Sequence, residues 1–211
     1  AARRAAWLGW LWGLGCFLGG VSWVYVSMHA VGGMQAPLAA LATLLFCAGL
    51  ALYPALAGWL FGCLRSGSGW RDAWLAGAVW MLSEWLRGWL FTGFPWLALG
   101  YSQSPPSPLA GYAAEIGVYG ISFILAALAA LLAFSWRRPA SILILLGVVT
   151  GGFLLQRMDW TQPSGAPLTV SLAQGNISQE TKWDAERLPH SLETYARLAR
   201  KHPAQLVVLP E

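Results

Sequence analysis

Long apolar runs, broken only by short polar loops, fill the chain as far as Arg157, and an amphipathic stretch follows. A helix needs roughly 20 apolar residues to cross a hydrocarbon core. Five stretches come near that length: 5–27, 37–63, 72–91, 115–136 and 139–156, the last being the shortest. Glycines at Gly9, Gly13, Gly15, Gly19 and Gly20 line the first stretch and predict close helix contact there. The segment 92–114 is too rich in Gly and Pro for a helix, yet keeps Phe94, Trp96, Leu97, Leu99 and Tyr101. Irregular backbone is tolerated at membrane depth only against protein or a water-filled cavity, so this loop is expected at or just inside the outer interface.

Beyond Met158 the period changes. Gln162-Pro-Ser-Gly-Ala-Pro167 has the composition of a linker. Leu168–Ala173 alternates with β-branched residues and predicts a strand. After a polar loop, Asp184 is expected to cap a helix running to about Lys201, with Leu188, Leu192, Tyr195 and Leu198 on one face. Leu206–Leu209 is a continuous apolar run of the kind found in parallel strands covered on both faces, and Pro210 ends it. Strand, helix and strand in that order predict a βαβ unit with parallel strands. Two strands cannot enclose a core, so the remainder of this α/β domain is expected outside the sequence. The predicted fold class is an α-helical membrane bundle followed by the start of an α/β domain. Its divisions are a membrane domain over 1–157, a linker over 158–167 and the opening of the α/β domain over 168–211.

Composition agrees with a membrane protein: 57% of the residues are hydrophobic, 10% are charged and 14 are Trp. Charge adds a direction. Arg3, Arg4, Arg65, Arg71, Arg137 and Arg138 fall in alternate loops, whereas 28–36 and 92–114 carry no Lys or Arg. Because cytoplasmic loops collect the basic residues, the chain is expected to start in the cytoplasm and to place everything after Arg157 on the outer face. The net +4 is loop arginine and argues against nucleic-acid binding. Trp7, Trp10, Trp12, Trp70, Trp74, Trp89, Trp96 and Trp136 lie near span ends, where interfacial anchoring is the default reading. Cys16, Cys47 and Cys63 lie in apolar runs and are expected as packed thiols, with neither disulfide nor metal site. The chain begins without Met and ends on Glu211, so it is expected to be a fragment lacking both ends.

Three features could carry chemistry. Glu84 and Arg87, three apart on one helix face, are either a mutually neutralised pair or the edge of a lipid site lined by Arg87. Glu115 opens a span at its positive dipole end and is expected as a helix-start acid. Glu211 follows the last strand, at the edge where α/β sheets gather catalytic groups.

The stretch Val170-Ser-Leu-Ala-Gln-Gly-Asn-Ile-Ser-Gln179, then Lys182-Trp-Asp184, then Leu206-Val-Val-Leu-Pro-Glu211 resembles the opening of the nitrilase-like domain of apolipoprotein N-acyltransferases. Glu84-Trp-Leu-Arg-Gly-Trp-Leu-Phe-Thr-Gly-Phe-Pro-Trp-Leu-Ala-Leu-Gly-Tyr-Ser-Gln103 resembles that family's membrane region, as do Trp23-Val-Tyr-Val-Ser-Met28 and Gly32-Gly-Met34. The resemblance implies a multi-pass enzyme of the bacterial inner membrane with an αββα nitrilase-type (carbon-nitrogen hydrolase) domain facing the periplasm. It implies transfer of a fatty acyl chain from a phospholipid, through a cysteine thioester, to the amine of a diacylglyceryl-cysteine apolipoprotein, without a cofactor. Its triad is Glu, Lys and Cys. A carboxylate takes the thiol proton, the thiolate holds the acyl group, and the lysine steadies the oxyanion.

Glu211 matches the general base, while the lysine and cysteine partners do not occur after it, so this chain alone is expected to be inactive. Trp183 matches a tryptophan near the family's substrate pocket, although a ring that simply packs the loop would look the same. The expected substrate-binding set is Trp183, Arg87, Phe94, Trp96 and Tyr101. Two other classes are weighed against this: a small transporter using Glu84 and Arg87 at a midplane path, and a membrane-tethered nitrilase-type amidase sharing Glu211. Neither explains both the Gly/Pro-rich apolar loop and the outer βαβ segment.

Overall fold

The computed structural model describes residues 1–178 and 186–210. It divides into two compact units, Ala1–Trp160 and Thr161–Glu211.

The first unit is helical. Helix α1 (Ala2–Gly20) breaks at Val21 and Ser22 and continues as α2 (Trp23–Val26) and a wide π-type turn (Ser27–Val31). Then come α3 (Ala36–Leu50), α4 (Leu52–Leu64), α5 (Gly69–Trp89), α6 (Ala113–Ser135) and α7 (Pro139–Leu155). Pro37 and Pro139 sit in the first turns of α3 and α7, where a missing N–H costs nothing. Asp72 organises the α4–α5 turn, accepting hydrogen bonds from Ser66 N at 2.7 Å and Gly67 N at 3.0 Å. Glu115 lies in the first turn of α6, as expected, and Gly117, at φ 62°, interrupts that helix just after it.

Each of the five apolar stretches forms helix, but they are not equivalent as spans. Among the described residues two stretches are long and apolar enough to cross a bilayer, Ala36–Leu64 and Pro108–Ser135. A third is added if Ala2–Gly20 and Trp23–Val31, bent by 50°, make one span. Helix α5 is 21 residues long but carries Arg71, Asp72, Glu84 and Arg87, and α7 has only 17 residues. Large apolar side chains face outward along the whole unit, Leu45, Leu143 and Phe153 among them. Such a surface requires an apolar solvent.

The main packing seams are α1 against α4 and α5 against α6. The first is built from backbone. A Cβ on Gly9 would strike the Pro54 carbonyl, one on Gly13 would strike Pro54 and Ala51, one on Gly58 would meet Ala5 O, and one on Gly62 would meet Ala2. The descending partners make the two helices antiparallel, each offering glycines four residues apart, the small-residue spacing that lets helices approach closely. The expectation for the α1 glycines thus divides. Gly9 and Gly13 form the seam and Gly20 meets Leu97, but Gly15 and Gly19 face open space, because they lie on the far side of the helix. Trp10 also departs from the anchor reading: it is half-buried and donates Nε1–H to Ala48 O at 3.1 Å, tying α1 to the end of α3. Cys47 is fully buried and Cys16 partly so, whereas Cys63 is exposed and not the packed thiol expected.

In the second unit, β1 (Val170–Leu172) pairs in parallel with β2 (Leu206–Val208), in the register Val170↔Leu206, Ser171↔Val207 and Leu172↔Val208. Between them α8 (Leu188–Lys201) begins four residues beyond the expected cap Asp184, which lies outside the described residues; Pro189 occupies its first turn. The predicted strand–helix–strand order is present, but two-sided burial of the second strand is not: Leu206 and Val208 are exposed, as are Val170 and Leu172. One helix cannot cover both faces of a two-stranded sheet.

The seam yields a contrast. Gly58→Ala is expected to lower stability by about 1–3 kcal/mol, since the new methyl meets a backbone carbonyl that cannot rotate away. Gly15→Ala, in open space on a helix, is expected to be neutral or to stabilise by up to about 1 kcal/mol. Unfolding of the two variants in the same detergent checks this, and equal effects would contradict the backbone seam.

Candidate functional site

The C-terminal end of α5 organises the site. Trp80, Glu84 and Arg87 follow at i, i+4 and i+7 and therefore share one stripe of the helix. Glu84 and Arg87 are almost fully buried, at 4% and 3% exposure. Buried charges demand partners, and these two do not serve as each other's hydrogen-bond partner. Glu84 Oε1 accepts from Trp80 Nε1–H and from the backbone N–H of Leu99, both at 2.8 Å. Arg87 Nη1 donates to the carbonyls of Phe94, at 2.9 Å, and of Trp96. The guanidinium also lies over the Phe17 ring, 5.2 Å from its centroid, and sits at the C-terminal end of α5, the favourable end for a cation. In place of a simple i,i+3 pair, the stripe grips the loop that follows it.

That loop is otherwise costly. Phe91, Thr92, Gly93 and Leu97 all have positive φ, between 54° and 81°, and for a residue with a side chain such a conformation costs of order 1–3 kcal/mol. Gly93 has a local reason for its identity, because a Cβ there would strike the carbonyl of Gly88. Phe94 N–H returns to Arg87 O at 2.7 Å, and Gly100 N–H reaches the fully buried Ser122 Oγ at 2.8 Å. The loop is thus fixed to α5 at Phe94, Trp96 and Leu99, and to α6 at Gly100.

Against this clamp lies an open apolar cavity of about 600 Å³. Leu45, Phe46 and Gly49 of α3, Tyr53 and Leu56 of α4, and the turn Leu90–Phe94 form its walls, and Arg87 is the charged residue among them. The volume lies within the usual range of ligand sites, and the lining suits a hydrocarbon chain with a polar group near the guanidinium.

Of the residues singled out in the sequence, Arg87 and Phe94 line this cavity. Trp96 is outside the lining; it stacks on Phe94 at 5.3 Å between ring centroids and is half exposed. Tyr101 is exposed and lies outside the lining, because Leu99–Gln103 turns away as a short 3₁₀ segment. Trp183 and Glu211 lie outside the described residues. The α3 and α4 wall was not expected: Leu45, Phe46, Gly49 and Leu56 sit within one unbroken apolar run, and nothing in such a run separates a cavity wall from a lipid-facing side. Phe91, the most exposed large apolar side chain at 87%, also escaped notice, since its left-handed backbone leaves no mark in the sequence.

Replacing Arg87 by Met would strip the Phe94 and Trp96 carbonyls of their donor and leave Glu84 buried without a nearby cation. The expected loss is about 3–5 kcal/mol, read as a lowered unfolding midpoint with faster proteolysis within 92–107. A loss below about 1 kcal/mol would show that the loop does not depend on this clamp.

Comparison with known proteins agrees with the resemblance carried by the motifs. The family model for the apolipoprotein N-acyltransferase N-terminal domain matches residues 1–131. A protein of Nitrosomonas europaea named apolipoprotein N-acyltransferase is 48% identical over 211 residues, covering 99% of this chain and 42% of the relative. Proteins of the same name from Ralstonia nicotianae and Chromobacterium violaceum are 49% and 48% identical, each again over 99% of this chain. The chain spans about two fifths of the length of these relatives. On the family match over most of its length, the chain belongs to the apolipoprotein N-acyltransferase family.

Proposed function

We propose that the intact protein to which this chain belongs takes a fatty acyl group from a membrane phospholipid as a cysteine thioester. It then passes the acyl group to the terminal amine of a diacylglyceryl-cysteine apolipoprotein. In this reading 1–157 is a multi-pass membrane domain with about five spans, 158–167 a linker and 168–211 the opening of a nitrilase-like domain facing the periplasm across a bacterial inner membrane. The family name and the arginine-bearing alternate loops support it. Its main structural support is the cavity itself: apolar on nearly every side, open, and bounded by one buried guanidinium.

The chemistry divides between the parts. The cavity accepts an acyl chain sideways, and Arg87, already engaged with two carbonyls through Nη1, offers its remaining N–H groups to an ester or phosphate oxygen. Phe94 lines the cavity and is backed by the Trp96 ring stacked on it. Glu211 is the base that accepts the proton of the cysteine thiol as sulfur attacks the ester carbonyl; it returns that proton to the departing oxygen, the alcohol leaves, and the thioester remains. The same carboxylate then accepts a proton from the incoming ammonium as nitrogen displaces the thiolate. The lysine and cysteine of this triad are expected in the protein beyond residue 211.

Glu211→Gln in the full-length protein is expected to abolish acyl-enzyme formation from phospholipid, measured by mass shift of the intact protein; normal thioester accumulation would remove Glu211 from the mechanism. A second substitution tests the cavity. Gly49 lines it and has no heavy atom within 4 Å of where a Cβ would stand, so Gly49→Phe has room to start its side chain there and adds bulk to the cavity. Slower thioester formation with a long-chain donor and an unchanged unfolding midpoint are expected. An unchanged rate would place the acyl chain elsewhere.

A further inference from the structure

A second, much smaller chamber lies on the other side of the clamp, with Cys16 and Phe17 of α1, Tyr53 of α4, and Glu84 and Arg87 of α5 in its walls. Its volume is about 20 Å³, which is room for one water molecule. Glu84 lines it, and Glu84 Oε2 is the one buried side-chain nitrogen or oxygen among the described residues that has no hydrogen-bond partner. The other carboxylate oxygen already accepts two hydrogen bonds. A bare carboxylate oxygen at 4% exposure is an arrangement that folded proteins avoid, and buried polar groups left over by the protein are commonly met by ordered water with two to four polar contacts. Arg87, Tyr53, Cys16 and the Trp12 indole supply further polar groups among the lining residues; Trp80 and Ser83 also line it, their donors already engaged with Glu84 Oε1 and the Trp80 carbonyl. The apolar cavity on the Leu90–Phe94 side shares Tyr53 and Arg87 with this chamber but does not include Glu84 in its lining.

From these facts we infer that the chamber holds a single ordered water, which donates to Glu84 Oε2 and accepts from a neighbouring donor of the same chamber, Arg87 foremost. Glu84 and Arg87, which share no direct hydrogen bond, are then joined through this water and hold the loop as one unit. The inference does not rest on the acyltransfer reading and stands if that reading falls.

The test is a density map of the full-length protein in lipid nanodiscs, at a resolution that shows ordered water. A peak within about 2.5–3.2 Å of Glu84 Oε2, with a second contact to Arg87 or another polar group of the lining (Tyr53, Cys16, Trp12 or Ser83), is expected. An empty chamber, or Oε2 touching a protein donor directly, would overturn the inference. Glu84→Met keeps the length of the side chain and removes the acceptor, so its map should lack the peak; a peak that persists would equally overturn the assignment. Should that variant fail to fold, the map of the unaltered protein decides.

Discussion

A charge buried among apolar helices has no water to turn to, and the architecture around α5 follows from that constraint. Glu84 and Arg87 are buried where a poorly satisfied group is expensive. Each finds its partners in the backbone of the segment that follows. The arrangement works in both directions, since that segment, being irregular, has amide and carbonyl groups that also need partners at depth. Two liabilities cancel: the helix needs polar partners, and the loop supplies them. Left-handed backbone at Phe91, Thr92 and Leu97 becomes tolerable because the loop is held at both ends of the strained stretch.

The cavity is the space this arrangement leaves. Close approach of α1 and α4 along their glycines brings parts of the bundle into contact, whereas the clamped Leu90–Phe94 turn meets α3 at the Phe46–Phe94 rings, 5.1 Å apart, and leaves open space beside Gly49. Gly49 and Leu45 then face open space in place of a neighbouring helix. A site formed in this way is apolar by default, since every helix contributing to it was already selected for an apolar surround. Its polarity is concentrated in Arg87, and the stripe that positions Arg87 also positions the loop that walls the site.

Much of this was legible in the chain. Helix positions followed from apolar runs and their breaks, and the parallel strand pair from one alternating and one continuous apolar segment separated by an amphipathic helix. The importance of Glu84 and Arg87 followed from finding charges in an apolar run. Their partners did not: spacing alone points to an i,i+3 pair, and only the three-dimensional path of residues 93–99 shows that backbone groups reach them first. The glycines of α1 illustrate a similar limit. Periodicity marks a small-residue face, but which glycines touch a neighbour depends on where α4 lies, and Pro54 of α4 is 41 residues beyond Gly13 and 45 beyond Gly9. The α3 wall was hidden because membrane helices are apolar all round, which removes the amphipathic contrast that reveals a buried face in water.

The antiparallel seam between α1 and α4 also sets a schedule. Gly9 cannot meet Pro54 until the intervening chain has been synthesised and α3 has entered the bilayer. At ordinary ribosomal rates that is a delay of roughly 2–9 s. Throughout it the glycine face of α1 lacks its α4 partner, although Trp10 can already reach Ala48 of α3, so the closest seam of the unit is completed after a looser contact between the same helix and α3.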